Sequence, residues 1–177
     1  MRTFSVILFL VFSAMFCAPG LSAQKSQIPP PAPIPAQIAT AQKIFIANAG
    51  GESFETVFDQ VVFDGGPDRA YNQFYGAMKA WGQKELVPSP SEADLVFEIS
   101  WVLSDTGLGR LPVLGQLRLV IIDPRTRITL WSVTEYVRGA VLLGNRDKNF
   151  DQAMNTIVGR AKTLMLPSAT GAIPSSR

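Results

Sequence analysis

The sequence of 177 residues contains no histidine and a single cysteine, Cys17. Histidine is the commonest general base and the commonest transition-metal ligand, so its absence excludes Ser-His-Asp catalysis, Cys-His catalysis and His-rich metal sites. One cysteine cannot form an intramolecular disulfide. Glycine-rich dinucleotide-binding, P-loop and HExxH motifs are also missing. The sequence therefore predicts no catalytic residue, no metal ligand, no cofactor and no enzyme.

An excess of basic charge is also lacking. The chain has 16 Lys+Arg against 14 Asp+Glu, a net charge of +2, and no basic run. A nucleic-acid-binding surface needs clustered positive charge, so we expect no nucleic-acid partner. With 47% hydrophobic and 17% charged residues, the composition predicts an ordinary globular protein with one main domain.

The first 23 residues have the three parts of a secretory signal peptide. Arg2 precedes an apolar stretch from Phe4 to Phe16, and small residues end the segment at Ala23. The stretch of about 13 apolar residues is shorter than a spanning helix requires, so an uncleaved anchor is the weaker alternative. Lipidation of Cys17 is disfavoured because the bulky Phe16 precedes it. We expect cleavage near Ala23, a secreted or periplasmic location, and no membrane span afterwards.

Residues 24–42 carry five prolines and no aromatic residue. Such a segment favours extended polyproline II structure and is expected to be a linker that contributes no core. A ligand for a proline-binding module is the alternative interpretation. Residues 43–166 are predicted to form a single α+β domain, and residues 167–177 a disordered tail.

Hydrophobic periodicity predicts the elements of this domain. A strand begins at Lys43 and places Ile44 and Ile46 on one face. A helix after Pro67 carries an apolar stripe with helical spacing: Tyr71, Phe74, Tyr75, Met78 and Trp81. Tyr71, Tyr75 and Trp81 are candidates for a sugar or peptide groove, but their helical spacing with Phe74 and Met78 is more typical of a core.

The next strand alternates between two faces. One face is wholly apolar, with Leu95, Phe97, Ile99 and Trp101, and the other is mixed, with Val96, Glu98, Ser100 and Val102. A hairpin follows, and an amphipathic helix begins at Lys148 or Asn149. We therefore predict an α+β two-layer sandwich, in which a mixed, mainly antiparallel sheet of about four strands has two helices packed on one face.

The segment Asp123-Pro124-Arg125-Thr126 lies between the strands of the hairpin and has the residues that a type I turn prefers. A four-residue loop pairs Leu119 with Leu130 and places Trp131 on the opposite face. One more residue in the turn shifts the register and places Trp131 in the core. Both registers remain open from the sequence.

Four residues are candidates for binding. Asn145, Arg146 and Lys148 lie just ahead of the predicted last helix, where the helix dipole and two cations favour an anion. Ordinary helix-capping residues are the alternative interpretation. Trp131 is a candidate aromatic contact.

Two acidic sets, Glu92 with Asp94 and Asp59 with Asp64, are each candidates for half of a glycosidase-like carboxylate pair. Solvated acids at the ends of elements are the alternative.

Five segments together resemble a family of uncharacterised secreted or envelope proteins of soil bacteria such as acidobacteria: KIFIANAGG, GGPDRAYNQFYGAMKAWG, KELVPSPSEADLVFEI, LRLVIIDPRTRITLWSVTEYV and NRDKNFDQAM. The resemblance to envelope lipoproteins of unknown function is more distant. It rests on the Asp-x-x-Thr turn that begins at Asp123, the next strand with Leu130-Trp131, and the last helix. This resemblance implies an envelope location and supplies no catalytic residues.

The leading hypothesis is an exported, non-enzymatic binding or accessory domain of the cell envelope, which binds an envelope protein or a glycan. An exposed apolar or aromatic patch on the second face of the sheet, around Val96, Val102 and Trp131, would support it, and a fully polar second face would weaken it. The alternatives are a carboxylate-dependent hydrolase of envelope carbohydrate and a small-anion binding protein.

Overall fold

The computed structural model describes residues 32–51, 64–104 and 114–166. Several expectations fall outside these ranges: the signal peptide, residues 24–31 of the proline-rich segment, Asp59 and the tail from residue 167. Every element described below belongs to one compact unit that begins at Pro33.

Five strands and three helices make up the described fold, in the order α1, β1, α2, β2, β3, β4, β5, α3. The short elements are α1 (Ala36–Thr40), β2 (Glu85–Leu86) and a 3-10 turn at Pro90–Glu92. The longer elements are β1 (Lys43–Gly51), α2 (Arg69–Trp81), β3 (Leu95–Ser104), β4 (Leu114–Ile122), β5 (Thr129–Val137) and α3 (Leu143–Leu164).

The strands form one open mixed sheet in the order β2-β1-β3-β4-β5. β1 is parallel to β2 and β3, whereas β3, β4 and β5 form an antiparallel meander. The predicted α+β class and mixed sheet are confirmed. The expected four strands and two helices become five and three, because the two-residue β2 and the five-residue α1 are too short to show a periodic pattern.

The core lies between one face of the sheet and the two long helices. Ile44 and Ile46 of β1 lie on this face, as do the wholly apolar set of β3 and three leucine and isoleucine residues of β4. From the helices, α2 contributes Phe74 and Met78, and α3 contributes a buried stripe that includes Phe150. The predicted apolar faces of β1 and β3 and the stripe of α2 are therefore the buried ones.

The last part of the expected linker is folded, which corrects its boundary. Ile38 of α1 is fully buried and Ala41 is 4% exposed, and both belong to the core. Lys84 fixes the end of α1, since its Nζ donates to the Ala41 carbonyl at 2.6 Å. Proline content alone predicted a coreless segment, but Ala36–Thr40 lacks proline and its apolar residue reaches the core.

The turn between β4 and β5 is held by Asp123. One oxygen of its carboxylate accepts a hydrogen bond from the Arg125 N–H at 2.9 Å, and the other accepts one from the Thr126 hydroxyl at 3.0 Å. The hydrogen bond from the Arg125 N–H is the largest cause that lowers the pKa of Asp123. This cluster of charge forms a turn, as the residue types indicated.

The register after this turn differs from the four-residue alternative. Ile122 pairs with Thr129, a bulge follows, and Ile121 pairs with Trp131. Directly paired residues share a face, so Trp131 lies on the face of the fully buried Ile121 and packs against the core. Trp131 therefore lies on the core face, as the longer-turn alternative predicted. The bulge places it there, and no local sequence pattern encodes the bulge.

The start of α3 was predicted about five residues too late. The helix begins at Leu143 without a side-chain cap, and the N–H groups of Asn145 and Arg146 donate to the Leu142 carbonyl at 3.0 and 3.1 Å. The polar residues that indicated a loop form the first two turns of the helix, where Asn145 and Lys148 are exposed and Arg146 and Asp147 are partly buried. Polar composition therefore did not distinguish a loop from an exposed helical turn.

Candidate functional site

A groove of about 520 Å³ runs between β5 and α3. One wall is formed by consecutive β5 residues, and the other by one stripe of α3. We call it the β5–α3 groove. Its lining residues are Trp131, Ser132, Val133, Thr134, Thr156, Gly159, Arg160, Thr163 and Leu164.

The β5–α3 groove combines aromatic, aliphatic, hydroxyl and cationic groups. Thr156 and Thr163 donate their hydroxyl hydrogens to carbonyls of α3, both at 3.0 Å, so their oxygens remain available as acceptors. Arg160 is the cation of the lining and is 54% exposed. Its Nη2 atom lies 3.4 Å from Oε2 of Glu135, whose side chain is 27% exposed. None of the described residues that line the groove is a carboxylate, so the lining gives no support to two-carboxylate hydrolysis.

The structure separates the four predicted binding residues. Trp131 lines the β5–α3 groove, whereas Asn145, Arg146 and Lys148 lie in the first two turns of α3 and outside the lining. Arg146 and Lys148 are two positions apart, which corresponds to a rotation of about 200° around the helix axis. Their side chains therefore point to opposite sides of α3. Anion binding there stays a prediction, and the geometry does not converge on one site.

The residues that the sequence analysis missed lie on the exposed stripe of α3. Thr156, Gly159, Arg160 and Thr163 recur at helical spacing, but polar residues on one side of an amphipathic helix are typical of solvated surface and do not by themselves indicate a site. Gly159 was the available signal. It is exposed in the interior of a long helix, where glycine is unfavourable, and a Cβ added there would meet no atom within 4 Å.

A second cluster of charged residues joins the starts of α2 and α3 around Arg69, which is 11% exposed. Its guanidinium donates to Asp147, to Asp151 at 2.8 Å and to the Asp64 carbonyl at 2.8 Å. The guanidinium also lies 4.5 Å from the centre of the Phe150 ring. Each member of the cluster contacts another, so the cluster is a structural clamp between the two helices.

The carboxylates in this clamp do not have the properties of a general acid. Burial opposes the ionisation of Asp147, but hydrogen bonds from Arg69 and from the Asp64 N–H outweigh it, and the pKa of Asp147 lies below its usual value. A glycosidase acid requires the opposite shift. Asp94 is also structural: it accepts the N–H groups of Gln42 and Lys43, each at 2.9 Å, and the bond from Lys43 is the largest cause that lowers its pKa.

The second face of the sheet is divided between apolar and polar residues. Val96 is 8% exposed, and Phe45, Val120 and Ile122 near it are half-buried. Further along, Arg118, Ser132 and Thr134 are exposed. The face is not fully polar, but Val96 is buried and Trp131 belongs to the opposite face, so these two residues do not form the exposed patch that the binding hypothesis expected.

No three acidic side chains in residues 32–51, 64–104 and 114–166 gather closely enough to hold a metal ion. In the same ranges, no helix has the length and apolar character that crossing a bilayer demands.

No protein-family model matches the chain, and no curated protein matches it. Solved structures do. The PelC dodecamer of Paraburkholderia phytofirmans has 16% identity and a TM-score of 0.43, with 76% of this chain and 93% of that chain covered. A Xanthomonas campestris protein of the family DUF330 has 14% identity and a TM-score of 0.44, with 75% and 90% covered. A Neisseria meningitidis lipoprotein has 11% identity and a TM-score of 0.37, with 68% and 96% covered.

These structures include a DUF330 protein and a lipoprotein. The expected family in soil bacteria such as acidobacteria has no support among them. With TM-scores below 0.5, the likenesses are too distant to carry a function to this chain.

Proposed function

We propose that this protein is an exported, non-enzymatic binding domain of the bacterial cell envelope, and that it takes an envelope protein or a glycan in the β5–α3 groove. The observation that carries the proposal is the position of Trp131. Its ring lines an open groove of about 520 Å³ next to Arg160 and several hydroxyl groups. Half-exposed aromatic rings contribute large contact areas at binding sites, because they lose little conformational entropy.

Two further observations support binding over catalysis. Asp94, Asp123 and Asp147 all have lowered pKa values because they accept hydrogen bonds that hold the fold together. The signal-peptide features of residues 1–23 support export.

The test is a crosslinking enrichment from the envelope fraction of the native host. The tagged full chain, a Trp131→Ala variant and a Trp81→Ala variant are produced at equal levels, and captured material is analysed for proteins and for sugars. Trp81 is the matched control, because it is also a partly buried tryptophan packed on the core but lies outside the groove.

We expect the wild-type chain and the Trp81→Ala variant to enrich the same partner and the Trp131→Ala variant to lose it. Thermal unfolding of the purified variants checks that each is folded. Equal enrichment by all three chains, or enrichment by none, would contradict the proposal. A captured sugar without a captured protein would assign the groove to a glycan.

A further inference from the structure

The outer edge of the sheet at β5 forms one wall of the β5–α3 groove. In the described part of the chain, β5 is paired on one side only, with β4. The groove is lined by four consecutive β5 residues, 131–134, whose side chains alternate between the two faces of the sheet. A wall of consecutive residues is the edge of the strand itself, and an edge presents unpaired backbone N–H and C=O groups.

Natural proteins usually protect such an edge with proline, lysine or a very short strand. β5 has nine residues, contains no proline and no lysine, and carries one charged side chain, Glu135. Its bulge lies at the start of the strand, between the positions paired with Ile121 and Ile122. The edge from Trp131 onwards is therefore long, regular and open to pairing.

The opposite wall leaves room for a backbone. Gly159 faces the groove from the interior of α3, and a Cβ placed on it would meet nothing within 4 Å. Glycine is disfavoured at such a position unless another chain approaches closely. From Thr156 to Leu164 this wall is about 12 Å long at 1.5 Å per residue, which matches an extended chain of about four residues at 3.3 Å each.

The charge of the groove indicates what that chain carries. Arg160 is 54% exposed, and its contact with Glu135 at 3.4 Å joins two solvent-accessible groups. Such a pair is weak and exchanges readily, so an acid on an incoming strand can bind the guanidinium. The same exchange would free Glu135 in a second copy of β5, so pairing of two β5 edges is the competing outcome that the test below must exclude.

We propose that the occupant of the β5–α3 groove is an extended segment of a partner protein that adds a strand to β5, with apolar residues toward Trp131 and Leu164 and an acidic residue toward Arg160. Main-chain hydrogen bonds to the edge supply affinity, and the alternating side chains supply specificity. The inference rests on the proposed function and names the class of partner for the same groove.

The test selects binders of the purified full chain from a display library of random nine-residue peptides. Enriched peptides are synthesised twice, once unmodified and once with methyl groups on alternate backbone nitrogens, and their affinities are measured by titration calorimetry. Gly159→Ala and Arg160→Glu are the groove variants. Gly76→Ala is the matched control, since Gly76 also lies inside a helix with open space around it but outside the groove.

We expect apolar and acidic residues to alternate in the enriched peptides. Methylation of alternate backbone nitrogens along one edge of the peptide should weaken its binding at least about tenfold. The Gly159→Ala variant should bind about tenfold more weakly while unfolding at the same or a higher temperature, and Gly76→Ala should bind like the wild type. Arg160→Glu should remove the preference for acid.

Four results would overturn the inference. They are no enrichment, enriched peptides without the alternation, binding that N-methylation leaves unchanged, and concentration-dependent dimerisation that the peptides fail to compete. If any of these occurs while Trp131→Ala still loses an envelope partner, the proposed function stands and the strand-addition inference fails.

Discussion

Replacing Arg69 with methionine is expected to lower the free energy of unfolding by about 3 kcal/mol. Methionine keeps most of the length and apolar volume of the arginine side chain but removes the guanidinium. The guanidinium donates to Asp147 and Asp151 of α3 and to the Asp64 carbonyl, and it lies over the ring of Phe150. The substitution therefore removes the clamp that joins α2 to α3.

Most of this loss comes from Asp147. Arg69 and Asp147 are 11% and 18% exposed, so the substitution leaves a mostly buried carboxylate without its cation, which costs about 2 kcal/mol after allowance for partial exposure. Asp151 is 52% exposed, and its pairing contributes about 0.5 kcal/mol. The contact with the Phe150 ring contributes a further amount of about 0.5 kcal/mol.

The assay is urea unfolding at pH 7 of the wild type, Arg69→Met, Asp147→Asn and the double variant, followed by circular dichroism. The double-mutant cycle isolates the Arg69–Asp147 pair and should give a coupling of about 1 to 2 kcal/mol. Arg160→Met is the control, because Arg160 is 54% exposed in its pair with Glu135 and should contribute less than about 1 kcal/mol. A loss for Arg69→Met as small as that for Arg160→Met would refute the reasoning.

Three other measurements test the fold. The free energy of unfolding should be nearly flat between about pH 5 and 8, because the chain has no histidine. It should fall at lower pH, because Asp94, Asp123 and Asp147 have lowered pKa values in the folded state, and the stability that they contribute is present above their unfolded pKa and is lost as pH falls through the folded pKa. A thermal midpoint that rises on acidification would contradict this. Ile38→Ala should cost about 2 to 4 kcal/mol in urea unfolding if α1 belongs to the core, against nearly nothing if residues 33–42 are a linker. Gly115→Ala should destabilise the fold by about 1 to 3 kcal/mol, because the new Cβ would lie 1.6 Å from the Trp101 ring, and a normal thermal midpoint for this variant would show that the ring moves freely.

The sequence predicted the elements whose faces differ strongly in polarity. The stripe of α2 and the alternation of β3 concern residues a few positions apart, and burial follows from their local spacing. Phe74, Met78, Phe97 and Ile99 are accordingly almost fully buried. Short elements were missed for the same reason, since β2 has only Glu85 and Leu86 and cannot display a period.

The candidate site depends on information that local patterns do not hold. The side of the sheet on which Trp131 lies is decided by a bulge one residue earlier in β5. Arg160 and Gly159 become part of a groove only because α3 packs beside the edge strand, which is a tertiary relation. The start of α3 was placed too late because Asn145 and Lys148 look the same in a loop and on an exposed helical turn.

The strand order also bears on the route by which the chain folds. β3, β4 and β5 are neighbours both in the chain and in the sheet, whereas β1 reaches β3 across α2 and β2. Contacts between nearby residues form earlier because closing a short loop loses less entropy. We expect the meander to be structured in the folding transition state and β1 to join afterwards, so that changes in β1 mainly accelerate unfolding. β1, which is synthesised before the meander, would then become ordered after it.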